Sequence, residues 1–304
     1  MTKRVAMFPG QGSQVVGMAK RAVRDSAAAA AFWQAASERI DTDLSKLCWE
    51  SSDEELRPTQ RQQPALVAAS LATWIAHHEL SDDAASEQPQ WHTAGHSIGA
   101  IPAAAAAGYL DPVDAVHLAA ERGKLMASAP AGGTMLAVVT AKQPDEDAQF
   151  RLAAELADAH DCDVAAVNGP TQVVLAGAID NIARAEVEIE AKTKQLSVSN
   201  AFHSRFMHPV AEEWAALVTA TDFQPGTGSY IGCRSGELCE TEAEVRADII
   251  EGLTMPVRWM RVLTQLIPGA DAVHAFGPGR ATARLARPYL GKQRVHQHEP
   301  QGAK

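Results

Sequence analysis

Gly95-His96-Ser97-Ile98-Gly99 places one hydroxyl between two glycines in a Gly-x-Ser-x-Gly spacing. Glycines at those positions allow a tight strand-to-helix turn that lifts the serine clear of the backbone, where it can act as a nucleophile. A serine hydroxyl is a poor nucleophile until a neighbouring base takes its proton. The chain offers eleven histidines. His96 adjoins Ser97, although neighbouring side chains diverge at a sharp turn. His203, in Ser199-Asn200-Ala201-Phe202-His203-Ser204, stands far along the sequence. Residue types alone leave both open as the base. They also leave open a plainer reading, a glycine-rich turn with an incidental serine.

Arg122 is the other residue that stands out. Asp111-Pro112 reads as an N-cap followed by proline in the first helical position, which predicts a helix over 112–128. In that helix Arg122 shares a face with Ala115, Leu118 and Leu125. A guanidinium in line with apolar neighbours either snorkels outward or meets an anion, and its planar fork suits a carboxylate.

The elements that must position these groups follow an α/β pattern. Residues 91–94 form a short strand into the turn, and 98–107 a helix of small residues with Pro102 in its first turns. Residues 3–8 read as a first strand, halted by Pro9-Gly10-Gln11-Gly12-Ser13-Gln14. That turn can hold a phosphate, but it lacks the Lys-Ser/Thr ending of a P-loop and the G-x-G-x-x-G order, so no nucleotide site is assigned. Helices are predicted over 20–40 and 63–77, with a polar loop over 81–90. After Gly132-Gly133 come a strand at 134–140, a helix at 144–160, strands at 163–168 and 172–177, a helix at 179–193 and a strand at 194–198. That β-α-β-β-α-β order predicts a small ferredoxin-like domain at 130–198, inserted into a larger α/β-hydrolase-like domain with a parallel sheet core formed by 1–129 and 199–304. The return segment holds a helix at 209–219, a strand near Tyr230, and helices at 241–253 and 257–266. Thr241 and Glu244 have capping-box spacing. A strand at 272–276 runs into Gly277-Pro278-Gly279-Arg280, and the polar tail from 291 to 304 reads as loosely held.

Bulk properties exclude several classes. The chain has 304 residues, 46% hydrophobic and 21% charged, which suits a soluble globular protein of one large or two modest domains. No run of eighteen apolar residues suggests a membrane span, and the apolar run before Pro9 is too short for a signal peptide. The net charge of −10 argues against nucleic-acid binding. Cys48, Cys162, Cys233 and Cys239 lack metal-site spacing and read as reduced thiols of a cytoplasmic protein.

Seven motifs, in order, carry a resemblance across residues 4–290: Phe8-Pro9-Gly10-Gln11-Gly12-Ser13-Gln14, Gln62-Gln63-Pro64-Ala65-Leu66, Gly95-His96-Ser97-Ile98-Gly99, Arg122-Gly123-Lys124-Leu125-Met126, Asn200-Ala201-Phe202-His203-Ser204, Met255-Pro256-Val257-Arg258-Trp259 and Gly277-Pro278-Gly279. Together they resemble the malonyl-CoA:acyl carrier protein transacylases. The resemblance implies ping-pong transfer of malonyl from a coenzyme A thioester to the phosphopantetheine thiol of an acyl carrier protein, with no metal or redox cofactor. It implies Ser97 as nucleophile and His203 as base, oriented by the backbone carbonyl of Met255. It also implies an oxyanion hole from the N–H groups of Gln11 and Ile98, and Arg122 as partner of the malonyl carboxylate. Gln63 and Asn168 match polar positions near the acyl pocket. Asn200-Ala201-Phe202-His203 is close to the His-Ala-Phe-His signature of malonyl-selective polyketide acyltransferases, which adds Phe202 to the substrate-binding set.

One position departs from the pattern. Fatty-acid-synthesis members usually carry glutamate where this chain has Ala100, and Ser97-Ile98-Gly99-Ala100-Ile101-Pro102 is similar to the malonyl-transferring subunit of malonate decarboxylase. The acceptor can therefore be a carrier of fatty-acid synthesis, of malonate decarboxylase or of a polyketide line. Docking an acidic carrier on an acidic chain calls for a local basic surface, for which Arg205, Arg258 and Arg280 are candidates by their place in the motifs. Two readings from other classes remain, a serine hydrolase and a non-catalytic carrier-docking scaffold.

Overall fold

The computed structural model describes residues 3–80 and 90–299. Strand β1 (Lys3–Phe8) buries Val5, Ala6, Met7 and Phe8 completely. Four consecutive buried residues mark a strand covered on both faces. The alanine-rich stretch that follows is not one helix but two, α1 (Lys20–Asp25) and α2 (Ala27–Arg39). Ser26 interrupts them in an extended conformation and accepts the Ala29 N–H at 3.0 Å, an N-cap that ends one helix and starts the next. A π-helical turn (Lys46–Glu50) and the short α3 (Asp53–Leu56) lead to α4 (Thr59–Leu80), which starts four residues before the predicted Gln63 and carries Pro64 inside.

Strand β2 (Gln90–Gly95) enters the serine turn, and α5 (Ala100–Ala106) leaves it. Most of the predicted polar loop over 81–90 lies outside the described residues. Next comes α6 (Pro112–Ser128), capped by Asp111, whose carboxylate accepts from Val113 N at 2.8 Å and Asp114 N at 3.2 Å.

Then β3 (Gly133–Val139), α7 (Glu146–Ala159), β4 (Asp163–Gly169), β5 (Gln172–Ala178), α8 (Ile179–Glu188) and β6 (Thr193–Gln195) follow in the expected order. Their antiparallel sheet runs β4-β5-β3-β6, the ferredoxin-like arrangement, over a small core that includes Leu136, Val138, Val173, Leu175 and Ile182. Helix α8 ends earlier than predicted because Ile189 turns extended and Ala191 N–H bonds back to the Ile189 carbonyl at 2.7 Å. Strand β6 pairs with β3 as far as Gln195, Leu196 N–H still bonds to Met135 O at 2.9 Å, and the segment then runs on so that Leu196 and Val198 reach the cleft beside the serine turn.

The remaining elements are α9 (Ala211–Ala220), β7 (Ser229–Ile231), β8 (Leu238–Cys239), α10 (Glu242–Glu251), α11 (Trp259–Leu266), β9 (Ala272–Ala275), α12 (Ala281–Leu290) and β10 (Val295–Gln297). The large sheet has the order β10-β9-β1-β2-β7-β8 and is parallel except for its last strand. The capping box at Thr241 and Glu244 is formed. Helix α11 starts at Trp259 rather than 257 because Val257 pairs with β4: its N–H bonds to Ala165 O and its carbonyl takes Val167 N–H, both at 2.9 Å. That pairing stitches the small sheet to the segment carrying Met255. No helix among the described residues is long and apolar enough to cross a membrane. All four cysteines are buried thiols.

The tail is the main correction. Through residue 299 it is not loose, because β10 lies in parallel register on β9 and Glu299 is buried against α4. The Glu299 carboxylate accepts the Ala19 N–H and, at 3.1 Å, the Thr73 hydroxyl, and burial pushes its pKa up to about 7. A carboxyl with a raised folded pKa contributes its stability fully below the unfolded value and loses it as pH rises through the folded one. Glu299→Gln keeps the hydrogen-bonding shape without the buried charge. It should be more stable than the parent at pH 8 by about 1–3 kcal/mol, converging with it as pH falls towards 4. Thermal unfolding across that range checks this, and a pH-independent difference would contradict it.

Candidate active site

The serine turn depends on its glycines. A Cβ on Gly95 would sit 1.8 Å from the Gly99 carbonyl oxygen, and one on Gly99 would sit 2.4 Å from that of Phe8. The turn therefore closes on itself and presses against the end of β1, where His96 N–H bonds to Phe8 O at 3.0 Å. Ser97 holds φ at 54°, left-handed backbone that a serine adopts only under constraint. His203 is held likewise, at φ 58°.

These two constrained residues meet. Ser97 Oγ lies 2.6 Å from His203 Nε2, and His203 Nδ1 lies 3.2 Å from the Met255 carbonyl oxygen. A carbonyl only accepts, so Nδ1 carries the proton and Nε2 offers its lone pair to the serine hydroxyl. Burial, then the charge of Arg122, then His96 push the His203 pKa down to about 3. The imidazole is thus neutral over the whole physiological range. His96 turns away: its Nε2 lies 2.8 Å from Asn168 Oδ1, its ring packs edge-on against Trp259, and burial lowers its pKa. Asn168 in turn donates to Gln172 Oε1 at 3.3 Å.

Arg122 is 3% exposed. Its Nη1 donates to Gln63 Oε1 at 2.9 Å, and its guanidinium stands 6.0 Å from the Trp214 ring centre. Gly123 makes this possible, since a Cβ there would lie 2.8 Å from Gln60 Cα; α4 and α6 approach closely enough for Gln63 to reach the arginine. Gln63 is itself anchored by donating to Thr59 Oγ1 at 2.8 Å. Burial lowers the Arg122 pKa to about 10, which leaves it charged at neutral pH. Among the described residues no carboxylate forms an ion pair with it. Ser97, Ala100, Arg122, Cys233 and Asp248 line one small gap, in which the Asp248 carboxylate is already taken up by the Tyr230 hydroxyl at 2.7 Å and the N–H groups of Cys233 and Arg234 at 3.0 and 3.1 Å.

On its other side Ser97 opens into a cleft of about 430 Å³, lined among others by Gln11, His96, Asn168, Phe202 and His203. The turn after β1 is seated against the serine turn, because a Cβ on Gly10 would meet His96 Nδ1 at 2.8 Å. The Gln11 side chain is pinned by donating to Thr59 Oγ1 at 3.0 Å and Gln62 Oε1 at 2.7 Å. Phe202 is buried, and Ile98 is buried within the turn itself. A neutral imidazole on a serine hydroxyl, with a buried cation across a narrow gap, is equipped to form an ester with an acyl group that ends in an anion.

Residues 5–272 match the family model described as "Acyl transferase domain". The chain belongs to the acyl transferase family. The malonyl CoA-acyl carrier protein transacylase of Bacillus subtilis is 33% identical to it over 296 residues, 94% of this chain and 90% of the relative. This acyl transferase also superposes on an acyl carrier protein S-malonyltransferase from Vibrio cholerae with a TM-score of 0.86 at 31% identity, covering 97% and 96% of the two chains. A type II polyketide synthase malonyl-transacylase, solved in complex with its acyl carrier protein, gives a TM-score of 0.85 at 28% identity over 97% and 95%.

Arg258 and Arg205, both candidates for carrier docking, are engaged within this acyl transferase. Arg258 is mostly buried, gripping Glu146 with two nitrogens and lying over the Phe150 ring at 4.4 Å. Arg205 bonds Asp161 at 2.7 Å and donates its backbone N–H to Asp163 at 2.9 Å. Their carboxylate partners come from the small sheet and its connections, which sequence order could not pair with them. Arg280 is exposed at the start of α12. The cleft also uses residues the sequence reading missed: Thr282, Arg284 and Leu285 of α12, with Leu196 and Val198 from the segment after β6. The i, i+4 spacing of Leu285 and Tyr289 is a sequence signal for α12, which carries Pro288 inside.

Proposed function

We propose that this acyl transferase moves a malonyl group from coenzyme A to the phosphopantetheine thiol of an acyl carrier protein through an ester on Ser97. The observation that carries the reading is the shared gap: Ser97, bonded to a neutral His203, lines it together with a buried Arg122 that has no carboxylate partner among the described residues. In this reading His203 Nε2 takes the hydroxyl proton as Ser97 Oγ attacks the thioester carbonyl. The N–H groups of Gln11 and Ile98 hold the oxyanion, a contribution commonly of about 3–4 kcal/mol. The coenzyme A thiolate leaves with the proton from His203. The carrier thiol then gives its proton to His203, attacks the ester and restores the serine. Met255 fixes the imidazole through its backbone, Gln63 positions Arg122, and Phe202 and Asn168 shape the cleft.

Thiol must compete with water for the ester, and the buried lining of the gap favours that. Acceptors from fatty-acid synthesis, polyketide synthesis and malonate decarboxylation all present the same thiol. Ala100, which lines the gap beside Arg122, is the position that favours the malonate decarboxylase carrier. Residues 130–198 are read as an inserted unit whose strand β4 and segment after β6 wall the cleft, and the protein is read as cytoplasmic.

Intact-mass measurement after exposure to malonyl-CoA tests the reading. The parent should gain one malonyl group that persists until carrier is added, and Ser97→Ala should gain none. Steady release of free malonate without carrier would instead identify a hydrolase. Carrier binding with no mass gain would identify a scaffold.

A further inference from the structure

Five histidines gather at the edge of the large sheet, away from the serine turn. Strand β9 brings His274, and β10 in parallel register sets His296 directly beside it. Side chains two apart on a strand share a face, so His298, just past β10, follows on the same side. The last turns of α4 lie across that face with His77 and His78. His274 Nδ1 and His298 Nε2 are 2.8 Å apart, and the His77 ring centre is 4.5 Å from that of His298 and 5.8 Å from that of His274. One nitrogen from each of His77, His274 and His298 falls within 4.8 Å of the other two, and all three rings are half-buried.

We infer that His77, His274 and His298 form a binding site for a divalent transition metal of the zinc class, separate from the acyl cleft. Three imidazoles with an open fourth position are a common zinc donor set. Zinc–nitrogen bonds of about 2.0–2.1 Å in tetrahedral geometry hold ligand nitrogens ~3.4 Å apart, so the cluster needs only small ring movements to close on an ion. The ligating form is the neutral imidazole. In the contact between His274 and His298 one ring donates to the other, and a metal requires the donor to move its proton to its other nitrogen, with no net proton change. His78 is held elsewhere, its Nδ1 2.9 Å from the Trp74 carbonyl. His296 is exposed, its ring centre 5.0 Å from that of His274.

The three ligands come from α4, β9 and the end of β10, so an ion there would fasten the C-terminal strand to the helix that crosses it. Binding to the folded state alone raises stability with metal concentration.

Equilibrium dialysis of the full chain against zinc chloride in a non-chelating buffer, paired with thermal unfolding, tests the site. The parent should take up one zinc ion and gain thermal stability with it. His77→Gln and His298→Gln, on different elements, should each weaken uptake at least about 100-fold while keeping acyl-transfer activity as proof of folding. If either variant is unfolded, the other decides. His203→Ala should still bind one zinc ion. No uptake by the parent, uptake unaffected by the His77 and His298 variants, or uptake lost in His203→Ala would each overturn the assignment.

Discussion

His203→Ala should slow acylation of Ser97 by malonyl-CoA at least about 100-fold, the scale on which a positioned general base contributes. The expectation follows from the hydrogen bonds around the ring. The Met255 carbonyl fixes the proton on Nδ1 and turns the Nε2 lone pair onto the serine hydroxyl at 2.6 Å. Because the ring's pKa is held near 3, the parent's acylation rate should stay flat through the neutral range and fall only in strong acid. The variant must rely on bulk base, so its residual rate should climb with pH. Rapid-quench mass measurement of the acyl-enzyme at several pH values distinguishes these courses. An undiminished rate in His203→Ala would move the base to His96, whose Nε2 is bonded to Asn168 instead.

Much of the site was legible in sequence because local geometry dictated it. Gly95 and Gly99 are required by contacts inside a single turn, and the Asp111 cap and the stripe through Leu118, Arg122 and Leu125 are properties of one helix. The meeting of Ser97 with His203 spans 106 positions, and only the family resemblance anticipated it. Features set by partners distant in the chain were missed. Arg258 looked available until the structure set Glu146 against it. Val-His-Gln at 295–297 has no apolar alternation, so nothing local identified β10, which exists because β9 offers an edge in parallel register. The break at Ser26 had a local signal, a serine ahead of an alanine run, which the uniform helix propensity of its surroundings masked. The histidine cluster is the extreme case, since residues 77, 274 and 298 have no spacing to read.

Arg122→Ala should separate malonyl from acetyl transfer. Truncating one partner of a buried, hydrogen-bonded charge pair costs about 2–5 kcal/mol, so kcat/KM for malonyl-CoA should fall ~100-fold or more. An acetyl group has no carboxylate to lose, and its transfer should be spared or improved. Equal losses for the two substrates would reject the carboxylate role and leave Arg122 as a structural partner of Gln63. The same variant also reports on His203. After burial, the charge of Arg122 is the next largest cause holding the imidazole pKa down, so its removal should raise that pKa. The acid limb of acetyl kcat/KM, which reads the free enzyme, should therefore move to higher pH in the variant. In the proposed reaction a malonyl carboxylate seated on Arg122 would offset the same charge, so substrate binding would strengthen the base as Ser97 attacks. An acid limb unmoved by Arg122→Ala would show that the guanidinium and the imidazole do not sense each other, and that coupling would then play no part in activating Ser97.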